Sequence, residues 1–385
     1  MLNTALLRIA LACALAAGMV CPLHAAPLPP LAIDRSQVTV SGLSSGGYMA
    51  TQLHVAWSSL FRGAGVVAAG PYYCAQGIAA LATTRCLTRD TAPPVDSLVA
   101  TARQWAAAGL IDATSNLAAS KVWLFAGAND TVLVPALDAD LKRFYEAFVQ
   151  PGNIVMRADV PAEHGMPTDD FGSACGHRGL PFINDCDVDG AGELLRHLVG
   201  PLAPRNDGSL AGRFVEFDQH EFIAAGLGLA TKGWLFVPQG CATSPCRLHV
   251  VLHGCGQNVD SLGDVYLLRT GYNRWADSNR IVVLYPQTSN EALNACWDWW
   301  GYTGADYAQR SGPQVGAIVA MVERLAGTPD VCREAMNGWH VWAGRARWDG
   351  FGAVVAKGSQ QRLGWWWRTS SLRESPRGHF VEGRC

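Results

Sequence analysis

Short, uninterrupted apolar runs recur along this chain, each stopped by glycine, proline or a polar turn. "GAGVVAAG" (63–70), "KVWLFAG" (121–127), "NIVMRADV" (153–160), "RLHVVLHG" (247–254) and "RIVVLYPQ" (280–287) have strand length. Continuous apolar character marks strands buried on both faces, as in a parallel sheet. Helical spacing appears between them. Met49, Leu53, Ala56 and Leu60 share one helical face, and "PQVGAIVAMVERLAG" (313–327) is a second helix with Gly327 past its end. This alternation predicts an α/β fold, a mostly parallel central sheet with helices on both faces.

The segment "GPLAPRNDGSLAG" (200–212) joins two halves. Candidate catalytic residues lie on both sides of it, so residues 26–385 are expected to form one catalytic domain. At the N-terminus, Arg8, the apolar "IALACALAAGMV" and a small-residue end at "LHA" or "HAA" read as an export signal over residues 1–25. The apolar run is too short to span a bilayer as a stable helix. A membrane anchor is the competing reading, and none is expected after cleavage. Bulky residues around Cys21 argue against lipidation. The expected location is therefore outside the cytoplasm, in the periplasm or the medium.

Cysteine usage agrees with export. Beyond the signal, ten cysteines remain, an even number in an exported chain. Proximity suggests Cys74–Cys86, Cys175–Cys186 and Cys241–Cys246, with Cys255–Cys296 and Cys332–Cys385 taking the remainder; sequence does not fix the pairing. A zinc site is the alternative, but no CxxC or His-x-x-x-His spacing supports it. The net charge of −2 comes with few charged residues and no basic block. That argues against a nucleic-acid partner and suits a neutral or apolar ligand.

In "VTVSGLSSGGYMA" (38–50), Gly42-Leu43-Ser44-Ser45-Gly46 meets the spacing G-x-S-x-G. The same frame fails around Ser45, because Leu43 stands where the first glycine should be. A strand precedes Ser44 and a helix follows it, the context a nucleophile elbow requires. An ordinary glycine-rich turn is the bland alternative. A serine hydroxyl needs a positioned base, and the base a carboxylate to hold its tautomer. Asp130 follows a buried strand in "LFAGANDTVLV", and His164 lies in the loop "VPAEHGMPTDD". Asp169, Asp170 and Asp185 compete as acids, and His177 and His197 as bases. The order Ser–Asp–His is that of α/β-hydrolases.

An oxyanion hole needs two backbone N–H groups. The Ser45 amide is one candidate, and the Cys255 amide in "HVVLHGCGQN" is the other. That loop follows the nucleophile by some two hundred residues instead of preceding it. A circularly permuted α/β-hydrolase fold explains the order.

Taken in order, "SGLSSGGYMA", "GANDTVL", "HGMPTD", "PFINDCDVDGAGELL", "LHGCGQ", "CWDWWG" and "HVWAGRA" resemble the polyhydroxybutyrate depolymerase family of esterases, in its type II, circularly permuted form. The likeness runs from about residue 33 to the end. It implies Ser44 as nucleophile, Asp130 as acid, His164 as base and the Ser45 and Cys255 amides as oxyanion hole. It also implies hydrolysis of poly(3-hydroxybutyrate) to hydroxyacid oligomers through an acyl-enzyme, with a polyester or oligoester as partner and no cofactor or metal. Trp297, Trp299 and Trp300 are expected to meet substrate, with core packing as the alternative. "GWWWR" (364–368) departs from the family pattern and is expected outside the cleft, as a strand with an exposed aromatic face or a patch that touches polymer. The competing functions are a feruloyl- or acetyl-xylan-type carboxylesterase and a non-catalytic polymer-binding relative.

Overall fold

The computed structural model describes residues 26–327, 331–374 and 378–383. The expected signal, residues 1–25, lies outside them. We number the strands of the main sheet in chain order: β1 Ile33–Leu43, β2 Phe61–Val67, β3 Lys121–Phe125, β4 Ile154–Arg157, β5 Arg213–Asp218, β6 Lys232–Val237, β7 Cys246–Leu252 and β8 Ile281–Tyr285. In space they run β4-β3-β2-β1-β7-β8-β6-β5. The pairs from β4 through β8 are parallel, and β6 and β5 close one edge antiparallel.

Each central strand feeds two cores. Val122 and Leu124 of β3 point to one face, and Trp123 and Phe125 to the other. On β8, Val282 and Leu284 face one side, and Ile281, Val283 and Tyr285 the other. This period of two, with both faces buried, is why the runs read as continuously apolar. Helices Ser45–Ala56 (α1) and Pro313–Leu325 cover the first face. Helices Gly190–Val199 and Tyr272–Asn279 cover the second.

Placing the second half of the chain first explains the topology. The sequence β5, β6, β7, β8, β1, β2, β3, β4 then occupies the sheet with a single crossing, where β7 and β8 exchange places. This is an α/β-hydrolase sheet entered at β1, the strand that leads into Ser44. The joining segment 200–212 has no regular secondary structure.

Among the described residues, four disulfides join Cys74–Cys86, Cys175–Cys186, Cys241–Cys246 and Cys255–Cys296. Cys332 is also disulfide-bonded, and Cys385, its expected partner, lies outside the described residues. Beyond residue 330 the chain leaves the main sheet. Strands 331–336, 369–374 and 380–382 make one small antiparallel sheet, and 346–348, 353–356 and 362–365 another. Ala346, Val354, Ala356, Leu363, Leu372 and Phe380 give this unit an apolar core of its own. It joins the body through hydrogen bonds from Gln361 Nε2 to His220 O (3.1 Å) and from His379 Nε2 to Phe222 O (2.8 Å).

Several histidines are built into the interior. His249 on β7 sits between Thr39 Oγ1 and Ser41 Oγ of β1, each 2.8 Å from a ring nitrogen. Burial lowers its pKa to about 3, as it does for His54 on α1, and lowers that of His379 to about 4. These rings are neutral in the folded protein and bind protons more readily once unfolded. Their contribution is fully present above the ordinary histidine value of about 6.5 and is lost as pH falls toward the depressed values. The unfolding midpoint is therefore expected to fall as pH drops from about 6.5 to 4, and to fall less in His249→Gln. Equal acid sensitivity of the two proteins in thermal melts would refute this.

Candidate active site

Ser44 stands at the turn between β1 and α1 with φ 56° and ψ −120°, a conformation non-glycine residues rarely adopt. Its amide donates to Val67 O of β2 (2.9 Å), which fixes the turn over the sheet's carboxyl edge. The flanking glycines are sterically required. A Cβ on Gly42 would lie 2.1 Å from Gly46 O, and a Cβ on Gly46 would lie 2.3 Å from Leu252 O and 2.4 Å from His253 O. The spacing G-x-S-x-G thus lets α1 press against β1 and the end of β7.

Asp130 and His164 come from loops after β3 and β4. Their side chains are buried, and His164 Nδ1 lies 2.7 Å from Asp130 Oδ2. The other carboxylate oxygen accepts the Val132 and Leu133 amides, each at 2.8 Å. A carboxylate held this way accepts the Nδ1 proton and leaves Nε2 as the basic nitrogen. Ser44 and His164 both line one cavity; among the described residues no hydrogen bond joins them, as is common in catalytic sites without substrate.

The competing residues serve elsewhere. Asp169 pairs with Arg205 and Asp170 with Arg274, while Asp185 accepts the Asp187 amide. His197 bonds Asn153 O at 2.9 Å. His177 contributes its backbone carbonyl to Asn184 and does not line the cavity.

The loop after β7 forms the facing wall. Gly254 N–H donates to Gln257 Oε1 (2.7 Å), and Gly256 N–H donates to Asn294 O (2.9 Å). Among the described residues, no acceptor takes the Cys255 amide between them. The Ser45 amide opens α1, where helix N–H groups have no intrahelical partner. His253 stiffens the loop: Nδ1 donates to Gly254 O (2.7 Å) and Nε2 accepts the Thr288 amide (3.2 Å). Burial lowers its pKa to about 4, so the ring stays neutral and keeps both bonds.

The cavity, about 250 Å³, is walled by Leu43, Tyr48, Leu87, Val132, Phe182, Leu293, Trp299 and Trp300 around Ser44 and His164. Trp299 stacks on Tyr48 with centroids 4.4 Å apart. Trp297, expected beside them, is not at the cavity. It is fully buried and donates Nε1–H to His253 O (2.9 Å), so it supports the loop from behind. The Cys255–Cys296 disulfide ties the Trp299–Trp300 segment to the same loop.

Sequence reasoning missed two polar clamps. Glu163 accepts the Thr131 amide (3.2 Å) and hydroxyl and the His164 amide (2.6 Å), which joins the acid loop to the base loop. Burial raises its pKa, but these bonds outweigh that and hold it below the usual glutamate value. Asn184, wholly buried, lies 3.3–3.4 Å through Nδ2 from the carbonyls of Glu163, Cys175 and His177. Glu163 adjoins the candidate base, and that adjacency was the signal available.

A strand–elbow–helix serine, a carboxylate-held histidine on the next loops and a facing glycine loop make this an α/β-hydrolase. A family model described as esterase PHB depolymerase matches residues 232–354. The chain is 52% identical over 309 residues to a poly(3-hydroxybutyrate) depolymerase of Delftia acidovorans, covering 79% of this chain and 62% of that protein's length. It is 37% identical over 320 residues to a polyhydroxybutyrate depolymerase of Talaromyces funiculosus, covering 78% of this chain and 93% of that one. The crystal structure of PHB depolymerase from Penicillium funiculosum matches with a TM-score of 0.73 at 36% identity, covering 78% of this chain and 99% of that chain. A serine-to-alanine PHB depolymerase complexed with an R3HB trimer matches with a TM-score of 0.74 at the same identity and coverage. The chain belongs to the PHB depolymerase family.

The elbow makes its own prediction. Gly46→Ala is expected to destabilise the protein by about 1–3 kcal/mol, because the clash is with backbone carbonyls that cannot rotate away. Chemical denaturation would measure the loss, and an unchanged midpoint would contradict it.

Proposed function

We propose that this chain is an exported serine esterase that hydrolyses ester bonds of poly(3-hydroxybutyrate) or a related polyhydroxyalkanoate. The observation that carries the reading is the 2.7 Å contact of Asp130 with His164, whose ring lines the same cavity as Ser44 and Cys255. His164 Nε2 takes the proton as Ser44 Oγ attacks the ester carbonyl. The Ser45 and Cys255 amides hold the developing oxyanion. Collapse expels the alcohol end, which takes the proton from His164, and leaves an acyl-enzyme. Water, activated by the same imidazole, then releases the hydroxyacid end and restores Ser44.

The substrate class follows from the cavity wall and the family. Among the described residues, no Asp, Glu, Lys or Arg lines the cavity, and most of its surface is apolar. That suits a neutral polyester with methyl branches. The disulfides support an oxidising location outside the cytoplasm. Among the described residues, no helix is long and apolar enough to cross a membrane.

A second surface supports contact with solid polymer. Trp339, Trp342, Trp348, Phe351, Trp365, Trp366 and Trp367 are all exposed on the unit beyond residue 330, with Trp342 at 80% and Phe351 at 89%. Trp365 and Trp367 stack with rings 3° from parallel, and Trp339, Trp342, Trp366 and Met336 line an open apolar groove. Scattered apolar residues are ordinary on a surface, but Trp339, Trp342, Trp365, Trp366 and Trp367, joined by ring contacts and one groove, support an interaction site. None of these residues lines the catalytic cavity.

Two experiments test the reading. Ser44→Ala is expected to lower turnover of a soluble ester by about 10³-fold or more; an active variant would refute the assignment. Wild-type protein should clear amorphous polyhydroxybutyrate granules and leave feruloylated xylan intact, and the reverse would replace the substrate. Separately, Trp339→Ala combined with Trp342→Ala and Trp366→Ala should reduce adsorption to polymer film and leave soluble-ester turnover unchanged. Full adsorption of that variant in a depletion assay would remove the surface from the proposal.

A further inference from the structure

The oxyanion loop and the base come from opposite halves of the chain, and one buried side chain bridges them. Gln257 is 1% exposed and borders the cavity. Its Oε1 accepts Gly254 N–H at 2.7 Å, while Nε2 donates to Pro181 O at 2.7 Å and lies 3.2 Å from Phe182 O. Both N–H groups and the carbonyl of the primary amide therefore have partners. On one side, the bond to Gly254 N–H holds the His253–Gly254 peptide, the neighbour of the peptide that carries the Cys255 amide. On the other, the two carbonyls belong to the segment that carries Phe182, whose ring stands edge-on to His164 with centroids 5.8 Å apart. Phe182 O also accepts the Met166 amide, two residues past the base (2.9 Å).

We propose that Gln257 is a positioning residue that keeps the Cys255 amide and the His164 ring in register across the cavity. The proposal rests on the reading of Ser44, His164 and Cys255 given above. A turn-closing role alone would need only the Oε1 bond to Gly254. The donors of Nε2 reach 75 and 76 residues away in the chain, to a segment no turn at 254–257 requires. Attack and proton transfer must be timed at one carbonyl. A shift of either partner by about 1 Å costs on the order of 10²-fold in rate without weakening ground-state binding.

The acceptor and donor roles separate by substitution. Gln257→Glu keeps an acceptor for Gly254 and loses both donors, whereas Gln257→Leu loses all three bonds. For hydrolysis of a soluble short-chain ester, both variants are expected to lose about 10²-fold in kcat, with KM within about threefold of wild type. The acylation burst in single-turnover experiments should slow by the same factor. Thermal melts and circular dichroism of the same preparations would report the fraction folded. The inference is overturned if Gln257→Glu turns over like wild type, or if the loss matches the fraction unfolded. It is also overturned if the change appears in KM alone. Ser44→Ala run in parallel keeps the questions apart. If that variant is inactive and Gln257→Glu is unimpaired, the triad reading stands and the bridging role falls. If Ser44→Ala is active, the reading beneath both is wrong.

Discussion

The whole site depends on how closely two backbones approach. The first turn of α1 lies against the last carbonyls of β7, near enough that a methyl group on Gly46 would sit 2.3 Å from Leu252 O. With glycine there, the Ser45 amide at the helix start and the Cys255 amide beyond β7 can border one small cavity. Gly42 allows the opposite contact, between the end of β1 and the same helix turn. The strained backbone of Ser44 follows from this crowding. A chain that reverses from strand to helix in one residue, between two packed backbones, has only that conformation left, and the surrounding contacts hold it.

Much of this was legible in the sequence, for a physical reason. Strands buried on both faces are apolar at most positions, so β2, β3, β7 and β8 appear as largely apolar runs; the exception in the middle of β7, His249, has both ring nitrogens bonded to β1. The elbow was legible because sterics limit which residues fit at 42 and 46. The two antiparallel strands, β6 and the edge strand β5, were not visible. "RFVEFD" and "KGWLFV" are partly exposed, and such short mixed runs resemble ordinary loops. The short strands beyond residue 330 were hidden for the same reason. The tryptophans at 297, 299 and 300 were harder still. Their chemistry is identical, and only the path of an irregular loop decides that Trp297 turns inward to His253 while the other two face the cavity.

Glu163, Asn184 and Gln257 illustrate a different limit. A polar side chain that clamps two loops carries no periodicity and no motif of its own. Its role exists only when segments distant in sequence are brought together, as Gln257 is with residues 181 and 182. Each of these residues is nonetheless adjacent to a candidate: Glu163 precedes His164, Gln257 ends the glycine loop, and Asn184 lies near Cys186. Loops that carry chemistry need internal polar fasteners, because catalytic groups must be fixed to within a fraction of an ångström while their backbone lacks regular hydrogen bonding.

The permuted order leaves this arrangement untouched because the site is specified by neighbours in space. β1 pairs with β7 in parallel, Gly42 opposite Leu252 and Val40 opposite Val250, so both strands end at the same level of the sheet. The Ser44 turn and the glycine loop leave those ends side by side whichever strand comes first in the chain. β2, β3 and β4 continue outward on one side of β1, and the loops after β3 and β4 return Asp130 and His164 to the same edge. In a parallel sheet every carboxyl end faces one way, so loops after any of the strands can meet in one crevice. Moving the chain termini breaks one connection and makes another, here 200–212, on the far side of that constraint. A fastener such as Gln257, bonded to residues 181 and 182, then joins halves that the new connection alone would leave less tightly coupled.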